Sequence, residues 1–394
     1  MKITQVDIYL LNAGDQAKMR RPVVCRIMTD EGVYGDGEAG VAIGTGAYAA
    51  VGLLRDFGKM ILGLDPMNVG PIWTKLLKES YWGQAGGAIV FASISAIDIA
   101  LMDIKGKALG VPCYQLLGGK YRSKFRVYGS QLQFGWGDEI GPWGSTEDYV
   151  RITKKCLDEG IDAIKTDFIM FDRDGKPIPK SANEGIMKYD MLQLFEERVK
   201  AIRDELGYDF DIIVENHSRT DAVSSVQMGE ICDRYKIFAL EEPTTPLNPE
   251  THRVLHEKML TPIASGERVF SRWGFYPFLK DGYIQLIQPD ICNCGGLTEA
   301  KRICDMAEVF DATVQAHVAG SPISTAAALH LQAAIPNFCI HEHHYRSTAK
   351  GTVDLGKYDY QPVNGYISVP DLPGLGQEIS DFAIETALEH YCIK

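Results

Sequence analysis

Three glutamates each close a short apolar run and stand at one regular interval. Glu215 ends Ile212-Ile-Val-Glu215, Glu241 ends Phe238-Ala-Leu-Glu241, and Glu267 follows Ile263-Ala-Ser-Gly266, with 26 residues from each to the next. Hard carboxylate oxygens brought to one point suit a single Mg²⁺ ion, which keeps coordination positions open for water or substrate oxygens. Any one of these acids alone reads as a helix N-terminal residue favoured by the dipole. Three in phase read as a metal site. The pattern continues: Asp290 ends Ile287-Gln-Pro-Asp290 and His317 ends Thr313-Val-Gln-Ala-His317, 27 residues on. Adjacent strands would set Asp290 against the His317 imidazole, fixing its tautomer and raising its basicity, as a general base requires.

The elements that must position these groups follow from the same spacing. Eight strand-length apolar runs, at 125–130, 163–167, 211–214, 237–240, 262–264, 284–288, 313–316 and 338–341, alternate with longer amphipathic segments. That rhythm predicts a (β/α) barrel, whose chemistry gathers at the C-terminal ends of its strands. One interval is too long, so residues 168–190, with Asp172-Arg-Asp-Gly-Lys-Pro-Ile-Pro179, read as an insertion: a lid, an interface element or a mobile segment. Ahead of the barrel, alternating Val6, Ile8, Leu10 and Val23, Cys25, Ile27 predict an antiparallel β-start. A helical pattern then runs from Ala47 to Leu117 and closes at Gly118-Gly119, with Ile94, Ile97, Leu101, Ile104 and Leu109 on a helical period. From Tyr366 a turn-rich tail should leave the barrel and end in a short helix.

Composition sets the outer bounds. The 394 residues are 45% hydrophobic and 23% charged, which is globular and unlike a disordered chain. A net charge of −12 argues against nucleic-acid phosphate and anionic membranes as partners. No apolar stretch approaches a membrane span or a secretory core, so a cytoplasmic protein is expected. Nine scattered cysteines, with Cys292-Asn-Cys294 too close for a zinc knuckle, point to reduced thiols used mainly in packing.

Several motifs now combine. Ala96-Ile-Asp-Ile-Ala-Leu-Met-Asp103 with Leu116-Leu-Gly-Gly119, Glu241-Glu-Pro243, Gly266-Glu267, Gln288-Pro-Asp290 with Gly295-Gly296, and Pro373-Gly-Leu-Gly376 together resemble the signature of the enolase superfamily, mandelate racemase subgroup. The resemblance covers nearly the whole chain. It implies a modified (β/α)7β TIM-like barrel over residues 121–365, and an α+β capping domain formed by residues 1–120 and completed by the tail, 366–394. It also implies Mg²⁺ on Glu215, Glu241 and Glu267, and removal of a proton α to a substrate carboxylate. A homo-oligomer is expected.

Two positions bear on the reaction. Where the racemase's second strand ends Lys-x-Lys and uses its last lysine as a second base, this chain has Lys165-Thr-Asp167, so two-base racemisation loses a partner. Lys165 is placed among the substrate-binding residues. On the third strand His217 stands two residues past Glu215, where strand alternation would turn it the same way, and it matches the general acid of galactonate-type dehydratases. Those enzymes usually carry Asp where this chain has Glu215. Glu342, in Cys339-Ile-His-Glu-His-His344, resembles the subgroup's acid that hydrogen-bonds the substrate carboxylate, and alternation should turn His341 and His343 away from it. Lys18, Arg20 and Arg21 fall where the family's specificity loop lies, as a cationic loop over an anionic substrate or a solvated charge run. The expectation is Mg²⁺-dependent dehydration of a sugar acid, aldonate or aldarate, to its 2-keto-3-deoxy acid, with His317 as base, Asp290 as its orienting acid and His217 as acid. Racemase, epimerase and cycloisomerase chemistries are rivals on the same scaffold, and a ligand sensor is the non-enzyme alternative.

Overall fold

In the third strand of the chain, Tyr34–Ala39, glycines alternate with acids, and the reason is contact distance. A Cβ on Gly35 would lie 2.2 Å from the Ala100 carbonyl oxygen, and one on Gly37 would lie 2.0 Å from that of Ala96. Only a strand without side chains at these two positions lets the 22-residue helix Ala88–Leu109 lie directly on it. The computed structural model describes residues 1–14, 20–183 and 185–394.

That strand is the edge of a four-stranded antiparallel sheet. Its order is Glu389–Ile393, Ile3–Leu10, Val23–Thr29, Tyr34–Ala39, and the helices Ala47–Ile61, Val69–Glu79 and Ala88–Leu109 accompany it. The long helix stops earlier than the apolar period suggested. Gly110 takes a left-handed conformation and its N–H turns back to the carbonyls of Gly106 and Lys107, a glycine C-cap, so the chain up to Gly119 continues as turns and a short helix. The tail also departs from expectation: it does not leave the barrel at Tyr366, because Tyr366–Ser368 pairs antiparallel with Lys124–Ser130. A short helix, Asp381–Glu385, is followed by the strand Glu389–Ile393, which pairs with the first strand in the register Ile8↔Tyr391.

The barrel has eight parallel strands in chain order: Lys124–Ser130, Ala163–Thr166, Asp211–Glu215, Ala239–Glu241, Ile263–Ser265, Leu286–Ile287, Thr313–Val314 and His341–His344. It closes through His341↔Val127 on one side of the last strand, and on the other through a bridge from Val314 to Phe338. Seven helices, the first Thr146–Asp158 and the last Pro322–Ala333, fill the intervals, giving the (β/α)7β architecture. Two strands, Leu286–Ile287 and Thr313–Val314, are only two residues long, and the apolar runs extend beyond them.

The long interval after the second strand is built around Arg198, which projects from the helix Tyr189–Leu206. Its buried guanidinium donates to the carbonyls of Phe168, Phe171 and Asp172, and to that of Gly144. A small two-stranded sheet, Gly135–Trp136 with Glu139–Ile140, follows the first barrel strand and had no signal in the apolar pattern. All nine cysteines are free, seven of them buried. Among the described residues no helix is long and apolar enough to cross a membrane.

Candidate active site

Glu215, Glu241 and Glu267 close three successive strands or the turn just past them, and the parallel ladder pairs Glu215 directly with Glu241. Each offers a carboxylate oxygen, and these three oxygens lie within 4.8 Å of one another. Glu215 and Glu241 are each 1% exposed, so this is a dense buried negative charge. Among the described residues, Arg268 pairs with Glu267 at 2.5 Å, and Lys165 answers the other two. Lys165 Nζ lies 2.5 Å from Glu241, 2.9 Å from Glu342 and 3.3 Å from Glu215. Burial works against charge on this ammonium, but the three carboxylates outweigh it and hold its pKa well above the ordinary lysine value.

Lys165 alone does not balance the cluster. Burial and the surrounding acids push Glu241 up to about 8 despite Lys165. Burial opposes charge on both imidazoles, yet Glu267 and Asp290 carry His317 up to about 10, and Glu215 and Asp167 raise His217. These shifts share one cause, a surplus of carboxylate in a largely buried space. Three convergent hard oxygen donors with unneutralised charge fit a divalent cation.

His317 Nδ1 lies 2.8 Å from Asp290 Oδ2, and its Nε2 lies 3.5 Å from Glu267 Oε2. Asp290 in turn accepts the backbone N–H of Cys292 at 2.8 Å through its other oxygen. The carboxylate therefore has a fixed orientation, and the imidazole presents Nε2 to the metal-ligand side. His217 reaches the same cluster from the opposite flank. Its Nε2 lies 3.0 Å from Glu215 and its Nδ1 3.5 Å from Asp167. Strand alternation does not deliver it, because the third strand ends at Glu215. His217 and Ser218 both take positive φ, 49° and 54°, and this left-handed turn folds the ring back over Glu215.

Glu342 is buried, accepts the Ser130 hydroxyl at 2.6 Å and the Val318 N–H at 2.7 Å, and touches Lys165. Burial would raise its pKa, but Lys165 and His317 pull it down to about 2. His341 turns outward to Gln332, and His343 faces Trp136 edge-on behind the barrel wall. His344, by contrast, lines the same cavity as Glu342.

That cavity, about 630 Å³, falls within the range of small-molecule sites. His217, Glu267, Asp290, His317 and Glu342 lie on its wall, the cap adds Gly40–Gly46 and Ile89, and the insertion adds Met170 and Lys180. Lys165 is not on that wall. It sits beneath the acids, wholly enclosed, and neutralises them from below.

The basic segment of the cap behaves differently from a substrate-facing charge run. Lys18 lies outside the described residues. Arg20 is 2% exposed and donates to the Thr352 hydroxyl and to the carbonyls of Ala319 and Gly320. The Arg21 guanidinium lies 5.4 Å from the Tyr48 ring.

Sequence reasoning passed over two glutamines. Gln288 donates to Glu241 at 2.5 Å, and Gln131 donates to Glu215 and lies 3.4 Å from His217 Nε2. Both stand at strand ends, Gln288 inside the Gln-Pro-Asp triplet and Gln131 just past Ser130. The strand-end rule that selected the acids would have selected them too.

Comparison with known proteins places these features in a family. Residues 148–383 match the family described as enolase C-terminal domain-like, and residues 12–118 match the N-terminal domain of mandelate racemase / muconate lactonizing enzyme. A D-xylonate dehydratase of Haloferax volcanii is 32% identical over 364 residues, 92% of this chain and 84% of that protein. A D-galactonate dehydratase of Pectobacterium atrosepticum is 32% identical over 388 residues, 97% of this chain and 93% of that protein. The crystal structure of an enolase superfamily member from Salmonella Typhimurium superposes with a TM-score of 0.96 at 47% identity, covering 100% of both chains.

Proposed function

The chain belongs to the mandelate racemase / muconate lactonizing enzyme family of the enolase superfamily, and on that footing we propose that it is a hydro-lyase that dehydrates a sugar acid to its 2-keto-3-deoxy acid. Relatives named as xylonate and galactonate dehydratases support the reaction class. The observation that carries the reading is that two imidazoles, His317 and His217, stand against different members of one carboxylate triad at the floor of one cavity.

Glu215, Glu241 and Glu267 would hold the cation, for which Mg²⁺ is proposed. When bound, the cation supplies positive charge to the substrate carboxylate as its α-proton leaves. The other roles belong to the chain itself. His317 in its neutral form, with Nδ1 held by Asp290, takes the proton from C2 at Nε2. Glu342 and Lys165 order the polar floor beside the substrate carboxylate. His217 gives a proton to the C3 hydroxyl, which leaves as water, and the resulting enol tautomerises to the 2-keto acid. Cap residues Gly40–Gly46 and insertion residues Met170 and Lys180 line the cavity that would receive the substrate. We assign residues 1–120 and the end of the tail to the cap, supported by the strand Glu389–Ile393 completing the first sheet, and 121–365 to the barrel, with Tyr366–Ser368 still paired to the first barrel strand.

A proton NMR time course in D₂O, with Mg²⁺ and a panel of aldonates and aldarates, tests the function. The expected result is 3-deoxy signals from at least one acid sugar. Appearance of the C2 epimer without 3-deoxy product would assign a racemase or epimerase instead.

A further inference from the structure

The loop that follows the base, His317 to Ser321, is held largely by residues from outside the barrel. Its Val318 N–H goes to Glu342. Arg20 takes the carbonyls of Ala319 and Gly320, and its other terminal nitrogen is tied to Thr352 at 2.7 Å. Glu38, fully buried at the end of the third strand, accepts the Ser321 N–H at 3.0 Å and its hydroxyl at 2.6 Å. Gly320 leaves no slack, since an added Cβ would stand 2.6 Å from Glu38 Oε1.

Two residues beyond Glu38, the Gly40 N–H donates to the Cys292 carbonyl at 2.7 Å, and the Cys292 N–H is the one that fixes Asp290. The short segment Glu38 to Gly40 thus grips both loops of the His317–Asp290 pair, one at Ser321 and the other at Cys292. Neither Arg20 nor Glu38 lies on the cavity wall. A buried carboxylate and a buried guanidinium committed to backbone groups of one loop are costly to bury and rigid once satisfied.

We propose that Glu38 and Arg20 are positioning residues for the His317 base, and that the cap sets the reach between His317 and Asp290 as well as roofing the cavity. The proposal rests on the reading of His317 as the base. A proton acceptor displaced by a fraction of an ångström loses rate without losing substrate binding. The signature is therefore a change in kcat with KM preserved.

The test uses the full-length protein with Mg²⁺ and the variants Arg20→Met, Arg20→Lys and Glu38→Gln. Hydrogen exchange followed by mass spectrometry reads the peptide carrying residues 318–321 without any substrate. Steady-state kinetics on D-galactonate, D-xylonate and whichever other panel member the wild type dehydrates read kcat and KM separately. The expected result is faster exchange in that peptide and kcat about 10- to 100-fold lower in Arg20→Met, with KM within about twofold. Arg20→Lys should recover part of the lost kcat, and Glu38→Gln, which keeps one acceptor, should show the smaller loss. A raised KM at unchanged kcat would overturn the proposal by making these residues substrate contacts. Unchanged kcat in a protein of lowered melting temperature would overturn it by making them purely structural. If the wild type turns over none of the sugar acids, the dehydratase reading fails by itself. In that case 318–321 exchange at the wild-type rate in Arg20→Met and Glu38→Gln would still overturn the positioning role.

Discussion

His317 Nδ1 and Asp290 Oδ2 meet at 2.8 Å across two neighbouring strands, and the imidazole thereby turns Nε2 toward the acids that would hold the cation. The relation has a kinetic counterpart. His317→Asn should abolish both α-proton exchange with D₂O and dehydration, whereas Asp290→Asn should keep substrate binding and lose most of kcat. Residual α-proton exchange in His317→Asn, read by NMR, would move the base elsewhere, with His217 the other imidazole on the cavity wall.

The acid should be separable from the base. In His217→Asn the three glutamates and His317 remain and only the imidazole contact to Glu215 is lost, so proton exchange at C2 should outlast dehydration, which should slow by about 10² to 10⁴. Parallel loss of both activities would place His217 in the first proton transfer.

Glu241 lies at the centre of the triad. Glu241→Gln should weaken Mg²⁺ binding measured by calorimetry and abolish turnover. In the wild type, EDTA should remove activity and added Mg²⁺ should restore it. Full activity in excess EDTA would refute the metal assignment.

The spacing of Glu215, Glu241 and Glu267 was legible because one strand–helix unit repeats at almost constant length, so a numerical period maps onto a common height in the barrel. Asp290 and His317 were legible for the same reason. His217 was found by an argument that the backbone does not follow: a left-handed turn, which leaves no mark in apolar alternation, brings it to Glu215. Arg20 looked like a surface charge because its partners are carbonyls some 300 residues away, and backbone acceptors have no sequence signature. Lys165 was placed at the substrate. Its burial beneath three acids could be read only once the strands that carry those acids were assembled.

Gly37 offers a test of the cap. An alanine there would drive its Cβ to 2.0 Å from the Ala96 carbonyl, a rigid atom in mid-helix. Gly37→Ala should destabilise by at least roughly the 1–3 kcal/mol typical of overpacking, read as a lower denaturation midpoint. An unchanged midpoint would mean that the helix moves away freely.

Acid should weaken the fold through buried neutral histidines. His330 accepts the Tyr114 N–H at Nδ1 and faces the Leu375 carbonyl with Nε2, and burial depresses its pKa to about 4. Burial likewise lowers His252 and His343 to about 4. The unfolded chain takes up these protons near pH 6.5 and the folded chain does not. The stabilisation is therefore complete above about pH 6.5 and is lost as pH falls through about 4, at most about 3 kcal/mol for His330. Melting temperature should fall across that window, and His330→Gln should flatten the fall. Identical slopes for wild type and variant would remove His330 from the account.

The pairing of Val6 with Ile393 has a consequence for synthesis. The first strand leaves the ribosome long before its outer neighbour exists, so Ile3–Leu10 waits as an open sheet edge while the entire barrel is translated. Unpaired edges recruit other chains. Nascent protein is thus most exposed to misassociation until Glu389–Ile393 has been made, and a change that removes or delays this strand lengthens that interval although it lies far from the catalytic mouth in sequence.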